Sequence, residues 1–252
     1  MLKAENKINR IGIMQPYFVP YLGYWQLMNK VNNWIIFDDV QFIDKGWINR
    51  NKIIHPENSD KTIWVTIPLE SRKQFSLIKD IKIDNSRNWK ETINGKFTHL
   101  KNKTKFYQEG KNLLNEILNY KTNWLIEFLV NSISIVKKIF KIHCKIKIQS
   151  KNFSSINSNN NFLAGEWALQ LTKLANGSHY INPIGGKHLF CNNLYRKNNI
   201  SLEFFEPNLN LKNNFGHSLI LENSILEIVS RYGLDKVSKF LNEGEIIEAN
   251  YV

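Results

Sequence analysis

Two adjacent carboxylates and two cations stand close together in the sequence and could handle a proton and a phosphate group. Asp38 and Asp39 follow an apolar run, and Lys45 and Arg50 come shortly afterwards. Neighbouring carboxylates raise each other's pKa and a nearby cation lowers it, so such a cluster suits acid–base chemistry. We take Asp38, Asp39 and Lys45 as candidate catalytic residues, with Lys45 and Arg50 as a candidate phosphate clamp. The alternative is a surface turn with a solvated ion pair, which would contribute little.

The same segment continues with side chains that are typical of a binding surface. Amides and a guanidinium beside an indole can hydrogen-bond to a ligand and stack on it. The candidate substrate-binding residues here are Gln41, Trp47, Asn49, Arg50 and Asn51. We interpret this segment as functional rather than as an ordinary loop.

A second segment combines two prolines, a glycine and three tyrosines directly after another apolar run. In an open α/β sheet, ligands bind beyond the carboxyl ends of strands, where loops meet helices. The prolines fix the shape of this loop, and the tyrosines offer rings and hydroxyls to a ligand. The alternative is a tight turn whose tyrosines belong to the core. The candidate binding residues are Gln15, Pro16, Tyr17, Tyr21 and Tyr24.

A third segment places an asparagine, a proline and a glycine pair after a further strand-like run. Backbone N–H groups at such a turn can surround an anion, so Asn182, Gly185 and Gly186 are further candidate binding residues. The segment is not a Walker A loop, because Ile181 stands at the first glycine position and no Ser or Thr follows the lysine. A purely structural turn is the more common use of a glycine pair.

Metal-binding and nucleophile signatures are missing from the sequence. The six histidines lack the spacings of a zinc site, and Cys144 and Cys191 form neither a ligand cluster nor a disulfide framework. No Gly-x-Ser-x-Gly elbow is present. His217, Ser218 and Glu222 provide the residue types of a triad, but a local hydrogen bond from Ser218 to the backbone is the better interpretation. We therefore expect no metal site.

Alternating strands and helices must position these segments. Apolar runs of strand length predict strands at residues 11–14, 34–37, 63–68, 78–83, 143–148, 179–181 and 200–204. Apolar residues at helical spacing predict helices at 24–28, 88–120, 123–140, 163–174, 224–230 and 234–242. The alternation predicts an α/β fold with a Rossmann-like, mostly parallel sheet flanked by helices and a helical C-terminal part. We expect one domain over residues 1–252, in which the helix-rich segment 88–140 could form a subdomain.

Composition and charge indicate a soluble globular protein with a basic surface. The chain has 252 residues, of which 42% are hydrophobic and 22% charged, and these values exclude a disordered chain or a fibre. Lys and Arg number 34 against 22 Asp and Glu, a balance that favours polyanionic partners such as RNA or nucleotide phosphates. The most apolar stretch, residues 124–140, is interrupted by charged residues and cannot span a bilayer. No signal peptide is evident, so we expect a cytoplasmic protein.

Taken together, the three segments resemble the WbqC-like family, which is found among bacterial genes for O-antigen (lipopolysaccharide) and other surface polysaccharides. The resemblance rests on the runs MQPYF, DDVQ with GWINRN, and YINPIGG with ISLEF. Near the C-terminus the family usually has Ser-Ile-Ile-Asp before a Tyr-Gly pair. Here the run reads SILE, with Glu227 in place of Asp.

The resemblance implies a transferase that attaches an amino acid, proposed to be glycine, to the amine of an amino sugar. The sugar would be carried on dTDP or UDP, and the acyl group would come from activation with ATP or from an aminoacyl donor such as aminoacyl-tRNA. Such amide formation needs a base, donors for the developing oxyanion and cations for the diphosphate. These roles would fall to Asp38 or Asp39, to Asn49 or Asn182, and to Lys45 and Arg50, with Tyr17, Tyr21 and Trp47 stacking on the base or the sugar.

Two other classes of function remain open. The order of strand, proline-containing loop, helix and strand is similar to that of nucleotidylyltransferases, with Tyr21-Leu22-Gly23-Tyr24 at the place of their His-x-Gly-His. A nucleotide-binding enzyme of the nucleotidylyltransferase or adenylate-forming type is therefore the second hypothesis. The third is a non-catalytic protein that binds a nucleotide sugar or RNA, and RNA binding would depend steeply on salt.

Overall fold

Six strands form one sheet within residues 8–209 and 222–249, which are the residues that the computed structural model describes. They are β1 (Arg10–Met14), β2 (Asn33–Ile36), β5 (Lys145–Ile148), β6 (His179–Pro183), β7 (Ser201–Glu206) and β8 (Glu245–Glu248). Their order across the sheet is β5-β2-β1-β6-β7-β8. The first five run parallel, and β8 pairs with β7 in the antiparallel direction. The predicted Rossmann-like, mostly parallel sheet is confirmed.

The two other strands of the described chain form a hairpin outside this sheet. β3 (Arg50–Ile54) and β4 (Thr62–Thr66) pair in the antiparallel direction, with Asn51 opposite Val65. The strand predicted at 63–68 is therefore present, although it does not join the parallel sheet. Sequence patterns do not predict its partner β3, because polar residues occupy the first half of that strand.

Helices cover both faces of the sheet. The predicted helices are confirmed, except that the pattern at 88–120 contains two helices joined by a 3-10 turn at His99–Asn102. Two helices, of four and six residues, are too short to give a periodic pattern. In chain order the helices of the described residues are α1 (Leu22–Met28), α2 (Trp89–Thr98), α3 (Tyr107–Leu118), α4 (Leu125–Ile139), α5 (Gln149–Asn152), α6 (Ala164–Leu174), α7 (Asn192–Lys197), α8 (Ile225–Tyr232) and α9 (Leu234–Phe240).

The prediction of a strand at 78–83 is wrong. Ile78–Asp80 form a 3-10 helix, and the carbonyl of Ile81 accepts a hydrogen bond of 3.0 Å from the first residue of α4. Ile78, Ile81 and Ile83 are all buried. Their spacing therefore reflects contact with the core around α4 rather than the alternation of a strand.

Apolar side chains of the sheet divide between two cores, as expected for a parallel sheet that is buried on both faces. Trp34 and Ile36 of β2 belong to the core that includes α1 to α4, α8 and α9. Ile11 and Ile13 of β1, with Ile35, pack against α6 and α7 on the other face. No helix within the described ranges combines the length and the apolar character that crossing a membrane requires.

The strand order reverses between β1 and β6, which are neighbours at the centre of the sheet. β2 and β5 lie on one side of β1, whereas β6 and β7 lie on the other. Loops that leave the two central strands diverge at such a point and leave a crevice, which is where open α/β sheets bind ligands. The topology therefore predicts a ligand site beyond Met14 and Pro183, the last residues of β1 and β6.

Candidate functional site

A cavity of about 420 Å³ lies at this reversal of strand order. Its volume, and a lining of aromatic and apolar groups with few polar ones, are typical of a small-molecule site. Four of the sequence-predicted residues meet in it: Tyr17, Tyr21, Trp47 and Asn51. We refer to it as the strand-end cavity. Its complete lining is Met14, Tyr17, Pro20, Tyr21, Trp47, Asn51, Pro183, Leu209 and Glu222.

Asn51 fixes the loop between β1 and α1, which forms one wall of the strand-end cavity. Its side chain is buried, and its Nδ2 donates to the carbonyls of Phe18 at 2.9 Å and Val19 at 2.8 Å. Its Oδ1 accepts from the N–H of Lys52 at 2.7 Å. Only an amide suits this position, because two carbonyl acceptors and one N–H donor converge on it. The shape of the loop therefore depends on the hairpin.

Two further elements hold the same loop. Val19 has a φ of 41°, which a β-branched residue rarely adopts. The carbonyl of Pro20 accepts hydrogen bonds from Trp25 Nε1 at 3.0 Å and from the N–H of Ile225 at 3.1 Å. Backbone strain of this kind persists only where the surroundings fix it, and it concentrates at ligand sites. The loop is thus held by the hairpin, by α1 and by the start of α8.

The strand-end cavity presents two phenols and one carboxylate among the described residues of its lining. Burial raises the pKa of Tyr17. It raises the pKa of Tyr21 as well, and the charges of Tyr17 and Glu222 add to that effect. Both phenols are therefore neutral at physiological pH and can donate a hydrogen bond. Glu222 supplies the negative charge of the lining.

A cluster of cations and indoles extends the cavity wall along the hairpin. The rings of Trp47 and Trp64 lie 5.2 Å apart. Lys52 Nζ is 5.2 Å from the centre of the Trp47 ring and 5.1 Å from that of Trp64. The Arg50 guanidinium lies 3.9 Å over the Trp64 ring. Because Trp47 is 40% exposed, the cluster can offer an aromatic face and a cation to a ligand that carries a ring and a negative charge.

The two carboxylates of the predicted catalytic segment are buried and are not part of the cavity lining. Asp38 Oδ1 accepts from the N–H of Ser150 at 3.0 Å, and its Oδ2 accepts from the Ser150 hydroxyl at 2.6 Å. Asp39 forms an ion pair of 2.8 Å with Lys79. Both carboxylates therefore connect the end of β2 to neighbouring segments, and their catalytic role stays a prediction.

Asp38 should make the stability of the protein depend on pH. Burial raises the pKa of Asp38, and the charge of Asp39 adds to the shift, whereas the hydrogen bonds from Ser150 oppose it. The folded chain therefore keeps a proton at a pH where the unfolded chain, with a pKa of about 3.9, has lost it. The free energy of unfolding should fall as the pH rises from about 4 through the folded pKa, because the buried carboxyl becomes charged. Urea unfolding across this range should show a smaller fall in Asp38→Asn, and equal slopes would contradict the prediction.

The other predicted residues of this segment stabilise the hairpin and the turn before it. Arg50 Nε donates to the Gly46 carbonyl at 3.0 Å, and a second guanidinium nitrogen donates to the Lys45 carbonyl. Asn49 Nδ2 donates to the Ile67 carbonyl at 2.8 Å. Lys45 is exposed. Lys45 and Arg50 flank a separate cavity of about 240 Å³ rather than the strand-end cavity.

The predicted residues of the other two segments divide between the strand-end cavity and structural positions. Tyr24 is buried in the core, where its hydroxyl accepts from Trp34 Nε1 at 3.3 Å. Asn182 Oδ1 accepts from the Tyr180 hydroxyl at 2.9 Å. The remaining predicted residues outside the cavity lining are Gln15, Pro16, Gln41, Gly185 and Gly186.

The binding residues predicted from the sequence do not include several residues of the site. Met14 and Pro183 bound the strand-end cavity as the last residues of β1 and β6, although the strand predicted at 179–181 stops before Pro183, and Trp64 lies in β4. Their positions in strands are the signal that could have identified them. Glu222 lies outside the predicted strands, and the sequence suggests it only as a member of a triad with His217 and Ser218.

The triad considered from the sequence falls partly outside the described residues. Of its three members, Glu222 lines the strand-end cavity, whereas His217 and Ser218 lie outside the described residues. Within residues 8–209 and 222–249, no group of three His, Cys, Asp or Glu side chains could hold a metal ion.

Comparison with known proteins agrees with the resemblance seen in the motifs. The model of the WbqC-like protein family matches residues 15–238. The chain is also similar to the uncharacterized protein Rv1507c of Mycobacterium tuberculosis (strain ATCC 25618 / H37Rv), with 32% identity over 78 residues, which are 31% of this chain and 32% of that protein. No solved structure matches the chain. Because the family match covers most of the chain and nearly all of the strand-end cavity, the chain belongs to the WbqC-like protein family.

Proposed function

We propose that the chain attaches an amino-acid acyl group to the amine of a nucleotide-linked amino sugar in the synthesis of a surface polysaccharide. The observation that carries this proposal is the composition of the strand-end cavity. Three aromatic side chains and one carboxylate meet where an open α/β sheet binds its ligands. The rings suit a nucleobase and a sugar, and the carboxylate suits an amine. Membership of the WbqC-like family supports the same conclusion.

Glu222 is the proposed base of the reaction. The amine of the sugar attacks the carbonyl carbon of the activated amino acid, so that the new C–N bond forms and the bond to the leaving group of the donor breaks. Glu222 takes the proton that the amine releases. Tyr17 and Tyr21, which burial keeps neutral, can donate hydrogen bonds to the oxyanion that develops on the carbonyl. Asp38 and Asp39 are competing candidates for the base, as predicted from the sequence.

The diphosphate of the nucleotide needs cations beside the aromatic wall. Lys52 stands next to Trp47 on the hairpin, within 5.2 Å of its ring. We assign Lys52 to the diphosphate, and Lys45 and Arg50, the clamp predicted from the sequence, are competing candidates that border a separate cavity. The acyl donor is either an amino acid activated with ATP or an aminoacyl-tRNA, and both belong in the assay.

Trp47→Ala should weaken the binding of a nucleotide sugar by about tenfold, because a base stacked on an aromatic ring contributes about 1–3 kcal/mol. The measurement is a thermal-shift titration at fixed salt with dTDP, UDP, ATP and a dTDP-linked amino sugar. Trp124→Ala is the matched control, because Trp124 is 39% exposed, as against 40% for Trp47, and lies outside the strand-end cavity.

The same titration separates the competing functions. Stabilisation by dTDP or UDP compounds that is lost in Trp47→Ala but kept in Trp124→Ala supports the transferase. Stabilisation by ATP alone would favour an enzyme of the adenylate-forming type. If the nucleotide sugar stabilises Trp47→Ala and Trp124→Ala to the same extent, the strand-end cavity is not its binding site.

A further inference from the structure

A second cavity, of about 410 Å³, lies between helices of the segment that follows the hairpin, and it shares no lining residue with the strand-end cavity. α2 begins beside it at Trp89, α3 ends shortly before Tyr120, and α4 contributes Phe128. Polar side chains of the connecting loops complete its wall. We refer to it as the inter-helix cavity.

Two ammonium groups line the inter-helix cavity without an opposing carboxylate. Lys90 and Lys121 both belong to its lining, and none of the described lining residues is acidic. Burial lowers the pKa of Lys90, and the charge of Lys121 lowers it further. Two like charges that are held together in this way favour a bound anion, because an anion removes their mutual repulsion.

Three acidic side chains are close in sequence to the lining residues, and each has a partner other than the two lysines. Asp84 forms an ion pair of 2.8 Å with Arg87, and Glu91 accepts a hydrogen bond from the side chain of Asn88. Glu127 lies beside the cavity, because its Oε2 accepts a hydrogen bond of 2.5 Å from the hydroxyl of Thr122, a lining residue. Among the described residues, none of these three carboxylates forms an ion pair with Lys90 or Lys121.

Lys90 is held in position but keeps donors for a ligand. Its Nζ donates to the carbonyl of Tyr120 at 2.7 Å and lies 5.5 Å from the Trp89 ring and 5.9 Å from the Phe128 ring. An ammonium has three N–H donors, so this one hydrogen bond does not exhaust them. The side chain of Tyr120, which is 37% exposed, offers apolar contact at the edge of the cavity.

We propose that the inter-helix cavity binds a small phosphomonoester, with its phosphate between Lys90 and Lys121 and the rest of the molecule along Tyr120. The volume suits a sugar phosphate or a mononucleotide, which are larger than a free phosphate ion. Both ligands share the phosphomonoester group that the two lysines recognise. The inference rests on the charge and shape of this cavity and holds whether or not the strand-end cavity binds a nucleotide sugar.

Titration calorimetry tests the proposal with three probes: inorganic phosphate, glucose 1-phosphate and uridine 5′-monophosphate. We expect one of the two esters to bind one-to-one and more tightly than inorganic phosphate. Lys121→Gln should weaken that binding by about tenfold, because it removes a charge-assisted hydrogen bond to the phosphate. Lys90→Gln should do the same. Lys138→Gln is the matched control, because Lys138 is exposed and lies outside the inter-helix cavity, and it should bind like the native protein.

Each other outcome would overturn the proposal. Equal weakening by Lys121→Gln and Lys138→Gln would indicate attraction to the general positive charge of the surface. Displacement of the ester by saturating dTDP-glucose would place it in the strand-end cavity. If neither ester binds, the inter-helix cavity is not a phosphomonoester site. If a uridine oligonucleotide binds instead of the esters, and if that binding requires Lys121, the cavity is an RNA site.

Discussion

Glu222→Gln should lower the turnover number for amide formation by about 10²–10⁴-fold, the usual contribution of a general base. The amide of glutamine keeps the size of the side chain but takes no proton. The affinity for free dTDP should change little, because the variant leaves the aromatic wall of the strand-end cavity intact. Mass spectrometry of the acylated nucleotide sugar provides the measurement, with glycine plus ATP and with glycyl-tRNA as alternative donors.

Asp38→Asn distinguishes the two candidate bases in the same assay. Asp38 is buried against Ser150 and is not part of the cavity lining, so its variant should retain turnover. Loss of turnover in Asp38→Asn with retention in Glu222→Gln would reverse the assignment and return the catalytic role to the carboxylate predicted from the sequence.

Glu227→Ala should lower the free energy of unfolding by about 3–5 kcal/mol, because it removes one partner of a buried ion pair. Glu227 is 0% exposed. Its Oε1 accepts from Arg231 Nε at 2.9 Å, and its Oε2 accepts from the N–H of Ile54 at 2.7 Å and from Asn223 Nδ2 at 2.9 Å. The variant therefore leaves three donors without their acceptor. Urea unfolding monitored by circular dichroism measures the loss.

Two further variants show whether the ion pair or the helix itself is responsible. Glu227→Gln keeps one oxygen, which can still accept from Ile54 and Asn223, but loses the charged acceptor of Arg231, so its loss of stability should be intermediate. Glu116→Ala is the control, since Glu116 is an exposed residue of α3, and its effect should stay within about 0.5 kcal/mol. A loss of similar size in Glu116→Ala and Glu227→Ala would show that the buried contacts contribute little.

The parallel sheet could be predicted because its strands are buried on both faces and appear as short apolar runs. β1 and β2 are examples, with Ile11, Ile13, Ile35 and Ile36 buried. β3 could not be predicted in this way, because its first half is polar and pairs with β4 outside the sheet. The error at 78–83 has a different origin: only Ile81 and Ile83 alternate as in a strand, whereas Ile78 belongs to a 3-10 helix, and all three are buried.

Only part of the candidate site could be predicted, by the general rule that loops at the ends of strands bind ligands. Tyr17 and Tyr21 follow β1, which borders the reversal of strand order, and they do line the strand-end cavity. Asp38 and Asp39 also follow a strand, but β2 lies between β1 and β5 and so does not border the reversal. Strand order depends on contacts between distant parts of the chain, and a local motif carries no information about it.

The hydrogen bonds around Pro20 have a consequence for the newly made chain. The loop that contains Pro20 emerges early from the ribosome, whereas Ile225, which donates to its carbonyl, emerges much later. Glu222 belongs to the same late segment and completes the lining of the strand-end cavity. A chain that stops before Glu222 lacks both this hydrogen bond and the carboxylate of Glu222, so we expect the strand-end cavity to be completed only after α8 has been translated.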